Sequence, residues 1–259
     1  MEKINNSEES ALELTFLMGT LLLENGAEVS RVMDTMERVA KAYKVDQVGI
    51  YVITNGVFAN GIENGVSKHT VITYVKNSSI HFGRICALNQ LSREICAGKH
   101  SISEAMEIAK EINNIPYTPD WLLALASGVG CAGFCFIFGG TLIDSIVSFV
   151  IGVAVQMFLT MADRHAMAKI FQNILSSSIC AIMALAFTKF GFGQNIEMII
   201  AGAVIRLVPG VSLTTAIRDF FNSDYLSGTI RLIDASLVGC CIAIGVGVVF
   251  MLASKLAFI

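Results

Sequence analysis

Arg206 stands three residues before Pro209-Gly210, inside a run that is otherwise apolar from Met198 to Ile217. Proline removes a backbone donor and collides with the preceding turn, and glycine frees the chain. A helix broken at membrane depth exposes polar backbone, which is tolerated only against protein or a water-filled cavity. Transporters use such breaks to hold substrates or ions. An arginine beside one could grip a carboxylate with two parallel hydrogen bonds. The same residues also fit a plainer reading, in which Arg206 snorkels to the membrane surface and Pro209 merely ends the helix. The residues alone leave both open.

Other charged groups cluster after the break. Residues 209–231 mix apolar side chains with Arg218, Asp219, Asp224 and Arg231, and with Ser227-Gly228. Their charges balance, so paired, solvated residues in a short interfacial helix and polar turn are one reading. A gate or docking loop is the other. Asp144 and Asp163 bracket one apolar run. Nineteen helical residues separate them by about 28 Å, too far for a catalytic carboxylate pair. Nearer the N-terminus, Gly26, Ser30 and Arg31 could bind an anion at a helix start, or form a simple helix break with a solvated arginine. The chain has no Gly-rich phosphate loop with lysine, no Gly-x-Ser-x-Gly and no His-Glu-x-x-His. His69, His81 and His100 are scattered and read as surface or lightly packed residues. No cofactor or metal is implied, and the chain is read as not an enzyme.

Five apolar runs carry the groups at the break: Trp121–Ile143, Ser145–Ala162, Ile170–Thr188, Met198–Ile217 and Ala235–Ala253. About 20 helical residues cross a hydrocarbon core of about 30 Å. The expected architecture is an α-helical membrane bundle of five spans (116–259), with a broken fourth span and an interfacial loop 209–231, preceded by a cytoplasmic α+β domain (1–115). The chain is 54% hydrophobic and 15% charged, and 11 of its 18 Lys and Arg precede residue 120. Five crossings place fifteen of these cations inside and two outside, with Arg206 within a span. The positive-inside rule then favours a cytoplasmic N-terminus and an external C-terminus. A net charge of -3 suggests no nucleic-acid partner. The polar start Met1–Asn6 does not read as a signal peptide. The seven cysteines form no Cys-x-x-Cys pair and read as small packing residues. Small residues recur every fourth position at Ala124-Gly128-Ala132, at Ser148-Gly152 with Gln156 continuing, and at Gly239-Ala243-Gly247, as tight bundles require. The chain shows no internal repeat, so five spans are expected to be part of a larger machine.

The polar half reads as helices at Ser10–Glu24 and 28–43, the second amphipathic through Val29, Val32, Met33, Met36, Val39, Ala40 and Tyr43. Strands follow at Gln47–Thr54, Val57–Ile62 and Lys68–Lys76, with turns at Asn55-Gly56 and Asn64-Gly65. Phe82–Ala97 reads as helix stopped by Gly98, and Ser101-Ile102-Ser103-Glu104 as a capping box opening a helix to about Ile112.

Several ordered motifs resemble the threonine/serine exporter family. They are Leu207-Val208-Pro209-Gly210, Thr214-Thr215-Ala216-Ile217-Arg218-Asp219, Ser223-Asp224-Tyr225-Leu226-Ser227-Gly228 and Arg231. Leu21–Val32 resembles the family's opening motif, and Phe138-Gly139-Gly140 followed by Asp144 its first hairpin. The resemblance covers about residues 10–253. It implies an inner-membrane exporter of small metabolites, threonine/serine or a succinate-like dicarboxylate; because the sequence shows no ATP site, an ion gradient is the expected driving force. Long family members carry about ten spans. In the split form a five-span chain with a cytoplasmic domain works with a small multi-span membrane subunit, and this chain, ending at Ile259, resembles that larger half. The alternative is a membrane-anchored sensor whose cytoplasmic domain binds a ligand. A plain anchor, however, needs neither Arg206 nor the Pro-Gly break.

Overall fold

A computed structural model describes residues 10–63, 66–75 and 80–255, apart from the side chains of 66–74. The Met1–Asn6 start, the Asn64-Gly65 turn, Lys76 and the side chain of His69 lie outside the described residues. The chain divides into two compact units, Met1–Tyr117 and Thr118–Ile259.

The first unit runs α1 (Ala11–Glu24), α2 (Val29–Ala42), β1 (Asp46–Ile53), β2 (Gly56–Glu63), β3 (Val66–Tyr74), α3 (Phe82–Cys96) and α4 (Ile102–Ile112). The strands form one antiparallel sheet in the order β1-β2-β3. Leu14, Met18 and Leu22 of α1 are fully buried against Val32, Met36 and Val39 of α2 and Leu88 of α3. A Cβ on Gly19 would lie 2.2 Å from Met36 Sδ, so the glycine makes room for the Met36 side chain between these two helices. The far end of β2 caps α1: Glu63 accepts from Ser10 Oγ at 2.5 Å and from Ala11 N at 3.0 Å. Ser101 and Glu104 form the expected capping box on α4.

One expectation needs correction here. The first hairpin pairs Ile53 with Gly56, so its two-residue turn is Thr54-Asn55, one position earlier than expected. Neither turn residue has positive φ; the pairing that buries Val52 and Val57 sets the register, rather than the turn chemistry of Asn-Gly. His81 and His100 are lightly packed, as expected, and both also make local contacts. His81 caps α3, with Nδ1 accepting from Arg84 N and Nε2 lying 3.1 Å from Pro116 O. His100 pairs with Glu94 at 3.0 Å.

The second unit contains α5 (Asp120–Ile137), α6 (Leu142–Arg164), α7 (Lys169–Lys189), α8 (Ile196–Val204), α9 (Gly210–Phe221) and α10 (Tyr225–Lys255). Four of these, α5, α6, α7 and α10, are long and apolar enough to cross a membrane. The first apolar run ends at Ile137. Leu142 and Ile143 instead open α6, because Gly139 at φ +101° turns the chain and Thr141 caps the new helix. The fourth run is two short helices, so no single full-length fourth span exists among the described residues. The 209–231 stretch is α9, a turn at 222–224 and the start of α10. That last helix begins at Tyr225 rather than Ala235, and its 31 residues outrun a bilayer core.

Helices α5 and α6 cross where neither has room for a side chain. A Cβ on Gly152 would lie 2.7 Å from Cys131 Sγ and 3.1 Å from Gly128 Cα. Ser127 Oγ donates to Gly152 O at 3.1 Å, and Ser148 Oγ to Cys131 O at 3.2 Å. Gly202 seats α8 on α5, where a Cβ would meet Cys135 Cβ at 2.6 Å. On α10 the packing glycine is Gly245, against Ile174 O and Ser177 of α7, and no atom lies within 4 Å of a Cβ built on Gly239 or Gly247. The expected small-residue face of this helix is therefore not the face that packs within the chain.

Replacing Gly152 with leucine should overpack the crossing by about 1–3 kcal/mol and lower the thermal midpoint in detergent. Gly133→Ala, whose new methyl meets nothing within 4 Å, should leave the midpoint unchanged.

Candidate functional site

The break after α8 brings three polar side chains together: Arg206, which is exposed, Gln156, which is buried, and Thr160, which is half-buried. Backbone hydrogen bonds tighten at the end of the helix: Leu207 N and Val208 N both donate to Val204 O, at 2.8 and 3.2 Å. Pro209, at ψ 52°, then precedes α9. Nine residues of α8 rise about 14 Å, about half the thickness of a hydrocarbon core, and Arg206 follows its end. Its Nε donates to Gln156 Oε1 at 2.9 Å. Gln156 is buried on α6 and its Nε2 donates to Thr160 Oγ1 at 3.4 Å. Thr160 in turn lines a cleft of about 610 Å³ between α5 and α6, walled by Leu125, Val153 and Met157. Among the described residues Arg206 makes no ion pair. By contrast Arg164 meets Asp120 at 2.5 Å and Arg231 meets Asp219 at 3.2 Å.

Asp144 is fully buried and plays a different part. Its Oδ2 accepts from Thr141 N at 2.9 Å, Thr141 Oγ1 at 2.8 Å and Asn195 Nδ2 at 3.1 Å. Its Oδ1 accepts from Gln194 N at 2.6 Å and Asn195 N at 3.2 Å. A helix N-terminus and two loop amides thus surround one carboxylate, and all its partners are neutral donors. It ties the α5–α6 turn to the loop entering α8 and offers no free oxygen to cargo. Gly193, at φ +106°, passes 3.2 Å from that carboxylate at its built Cβ, so a side chain there would crowd it.

Five further candidates close on one another in the α9–α10 hairpin. Ser223 at φ +62° turns the chain, and Asp224 N donates back to Asp219 O at 2.9 Å. Asp224 Oδ1 accepts from Ser227 N at 3.2 Å, capping α10. Gly228 lets Phe220 lie against the helix, since a Cβ would come within 2.9 Å of its ring. Asp219 is buried, and its ion pair with Arg231 lacks hydrogen-bond geometry; Ser227 Oγ is likewise buried without a partner. Arg218 and Gly210 sit on exposed parts of α9. These residues form a latch that holds two helices together, and among the described residues no hydrogen bond or ion pair joins them to Arg206.

Gly26, Ser30 and Arg31 belong to the other unit. Gly26, at φ +79°, ends α1. Ser30 Oγ donates to Glu28 Oε1 at 2.7 Å, and Arg31 lies 3.8 Å from the same carboxylate. An internal carboxylate therefore already occupies the place an anion would take. Gln156, Thr160 and Thr141 were not singled out as site residues from the sequence. Gln156 appeared only as a continuation of a small-residue face; an amide in an apolar run was the available signal.

The threonine/serine exporter family model matches residues 13–253. The "Probable threonine/serine exporter" of Mycobacterium tuberculosis is 22% identical over 237 residues, 91% of this chain and 45% of that protein. The "Probable succinate transporter subunit" of Klebsiella aerogenes is 23% identical over 251 residues, 95% of each. The "Threonine/serine exporter" of Corynebacterium glutamicum is 23% identical over 253 residues, 95% of this chain and 52% of that protein. The chain spans about half the length of the two exporters it matches. No solved structure matches it.

Removing the Asp144 carboxylate should loosen the start of α8. Asp144→Ala leaves three backbone N–H groups, of Thr141, Gln194 and Asn195, without their acceptor, at about 1–3 kcal/mol each. The expected result is a lower thermal midpoint in detergent and faster proteolysis at residues 190–195. Asp144→Asn, which keeps oxygen acceptors, should lose less.

Proposed function

The chain belongs to the threonine/serine exporter family, and we propose that it is one subunit of a secondary exporter of small carboxylate-bearing metabolites. It is a multi-pass membrane protein with four helices of spanning length. In the proposed topology α8 and α9 together make a fourth, interrupted crossing and α10 the fifth. The N-terminal unit is cytoplasmic, the C-terminus external and the membrane the inner one. The concentration of Lys and Arg before residue 120 supports that orientation. A partner chain is supported by the relative matched over 95% of both lengths, whose name calls it a subunit. We assign the partner as a small multi-span membrane chain of the same family. Threonine or serine, or a succinate-like dicarboxylate, is the cargo class, following the names of the matched proteins.

One observation carries the reading. Arg206 lies just past the end of a half-length helix, held by a neutral amide oxygen and without an ion pair among the described residues. An ionised group at membrane depth is costly and faces a cavity or a partner. A carboxylate passing through the break supplies the missing counter-charge. An ion gradient drives export in this scheme.

The test is efflux of labelled threonine and of labelled succinate from vesicles holding this chain and its partner. Arg206→Ala should reduce efflux about tenfold to a hundredfold, the value of one or two charge-assisted hydrogen bonds. Arg206→Lys should retain part of it. Efflux equal to that of the unaltered chain in Arg206→Ala, at equal membrane abundance, rules out the role given to this arginine.

A further inference from the structure

Gln156 is the side chain that decides what charge Arg206 presents. It is 6% exposed, on an apolar helix, and accepts from Arg206 Nε through Oε1. Its own Nε2 is committed to Thr160 Oγ1 at 3.4 Å, and Thr160 Oγ1 to Gln156 O at 3.0 Å. That commitment fixes which end of the amide faces the arginine: the oxygen. Backbone supports the other side of the site, where Cys131 Sγ lies 3.6 Å from Ala203 O, the third carbonyl before Arg206. The hydrogen-bond partner of the guanidinium, the Gln156 amide oxygen, carries no formal charge.

A carboxylate at position 156 would hold an arginine more strongly. Arg164 and Arg231 show that pattern elsewhere in the unit, paired with Asp120 and Asp219. An arginine neutralised in that way has little to offer a second carboxylate. A neutral acceptor leaves the full charge in place, while restricting where the side chain can point. Thr160 connects this arrangement to the cleft between α5 and α6, which it also lines.

We propose that Gln156 is a positioning residue, holding Arg206 through a neutral oxygen so that its positive charge stays available to an anionic group of the cargo. This rests on the exporter reading and adds that selectivity for anionic cargo is set by a residue that need not touch the cargo itself. Asp144, twelve residues earlier on the same helix, shows the contrast: its carboxylate keeps its charge, but both oxygens are taken up by donors of the fold.

The test reads the availability of Arg206 directly and then its use. The full chain, purified with its lipids, is treated with phenylglyoxal, an arginine reagent, and modification of Arg206 is followed by peptide mass spectrometry. In the unaltered chain Arg206 should be modified. Gln156→Glu should slow that modification at least about tenfold, because the new carboxylate pairs with the guanidinium, while Gln156→Met should leave it reactive. Thermal midpoints in detergent identify any variant that fails to fold. In vesicles with the partner chain, Gln156→Glu should raise KM for labelled succinate and labelled threonine about tenfold or more with kcat little changed. The double variant Gln156→Arg with Arg206→Gln, which returns one cation to the site, should recover a lower KM. An unreactive Arg206 in the unaltered chain, or equal reactivity in folded Gln156→Glu, overturns the role of Gln156 whatever the transport assay gives. Protection of Arg206 by succinate or threonine, or its absence, speaks separately to the exporter reading.

Discussion

Both ends of α8 are held by side chains outside it, and the membrane unit depends on that. A nine-residue helix is too short to be stable alone, and the free backbone groups at its ends need partners. Helix α6 supplies the remedy along its length. Asp144 receives the amides that lead into α8, and Gln156 receives the arginine that follows it. Ser148, between them, bonds Cys131 O and lies 3.5 Å from Ile199 O. Twelve residues of α6 rise about 18 Å, comparable with the length of α8 and its turn. One continuous helix therefore splints an interrupted one.

The splint works only because α5, α6 and α8 approach closely. Gly128, Gly152 and Gly202 leave no room for a methyl group, and Cys131 and Cys135 fill the remaining space. Between lipid-exposed helices there is little hydrophobic driving force, so close backbone packing and interhelical hydrogen bonds carry the association. Ser127, Ser148 and Ser178 donate to carbonyls of neighbouring helices for that reason. A tight core of this kind supports a charged side chain at the break without letting it collapse onto a counter-ion. In the proposed exporter that retained charge is what recognises cargo.

The hairpin of α9 and α10 has the densest set of family motifs, yet its residues face one another. Asp219 and Arg231 pair, Asp224 caps, and Gly228 admits Phe220. A motif can persist in a sequence because it shapes a turn, and motif density alone does not separate shape from recognition. The same lesson holds in the first unit, where Ser30 and Arg31 satisfy Glu28.

Apolar run length alone announced the spanning helices, and the proline-glycine pair announced the interruption, because both are local consequences of backbone hydrogen bonding. The Ser101 capping box and the amphipathic face of α2 were equally local and equally legible. Where the chain folds back on itself, sequence patterns were ambiguous. The hairpin turn sits at Thr54-Asn55 because strand pairing outweighs turn preference, and Gly245 rather than Gly239 packs on α7 because only the neighbour's position chooses a face. Asp144 and Gln156 could be read as solvated or as packing residues until residues fifty positions away came beside them. Composition thus determined a membrane bundle with a broken helix, whereas the tertiary structure decided which buried polar groups satisfy each other and which arginine keeps its charge, because hydrogen bonds between distant segments exist only once those segments meet.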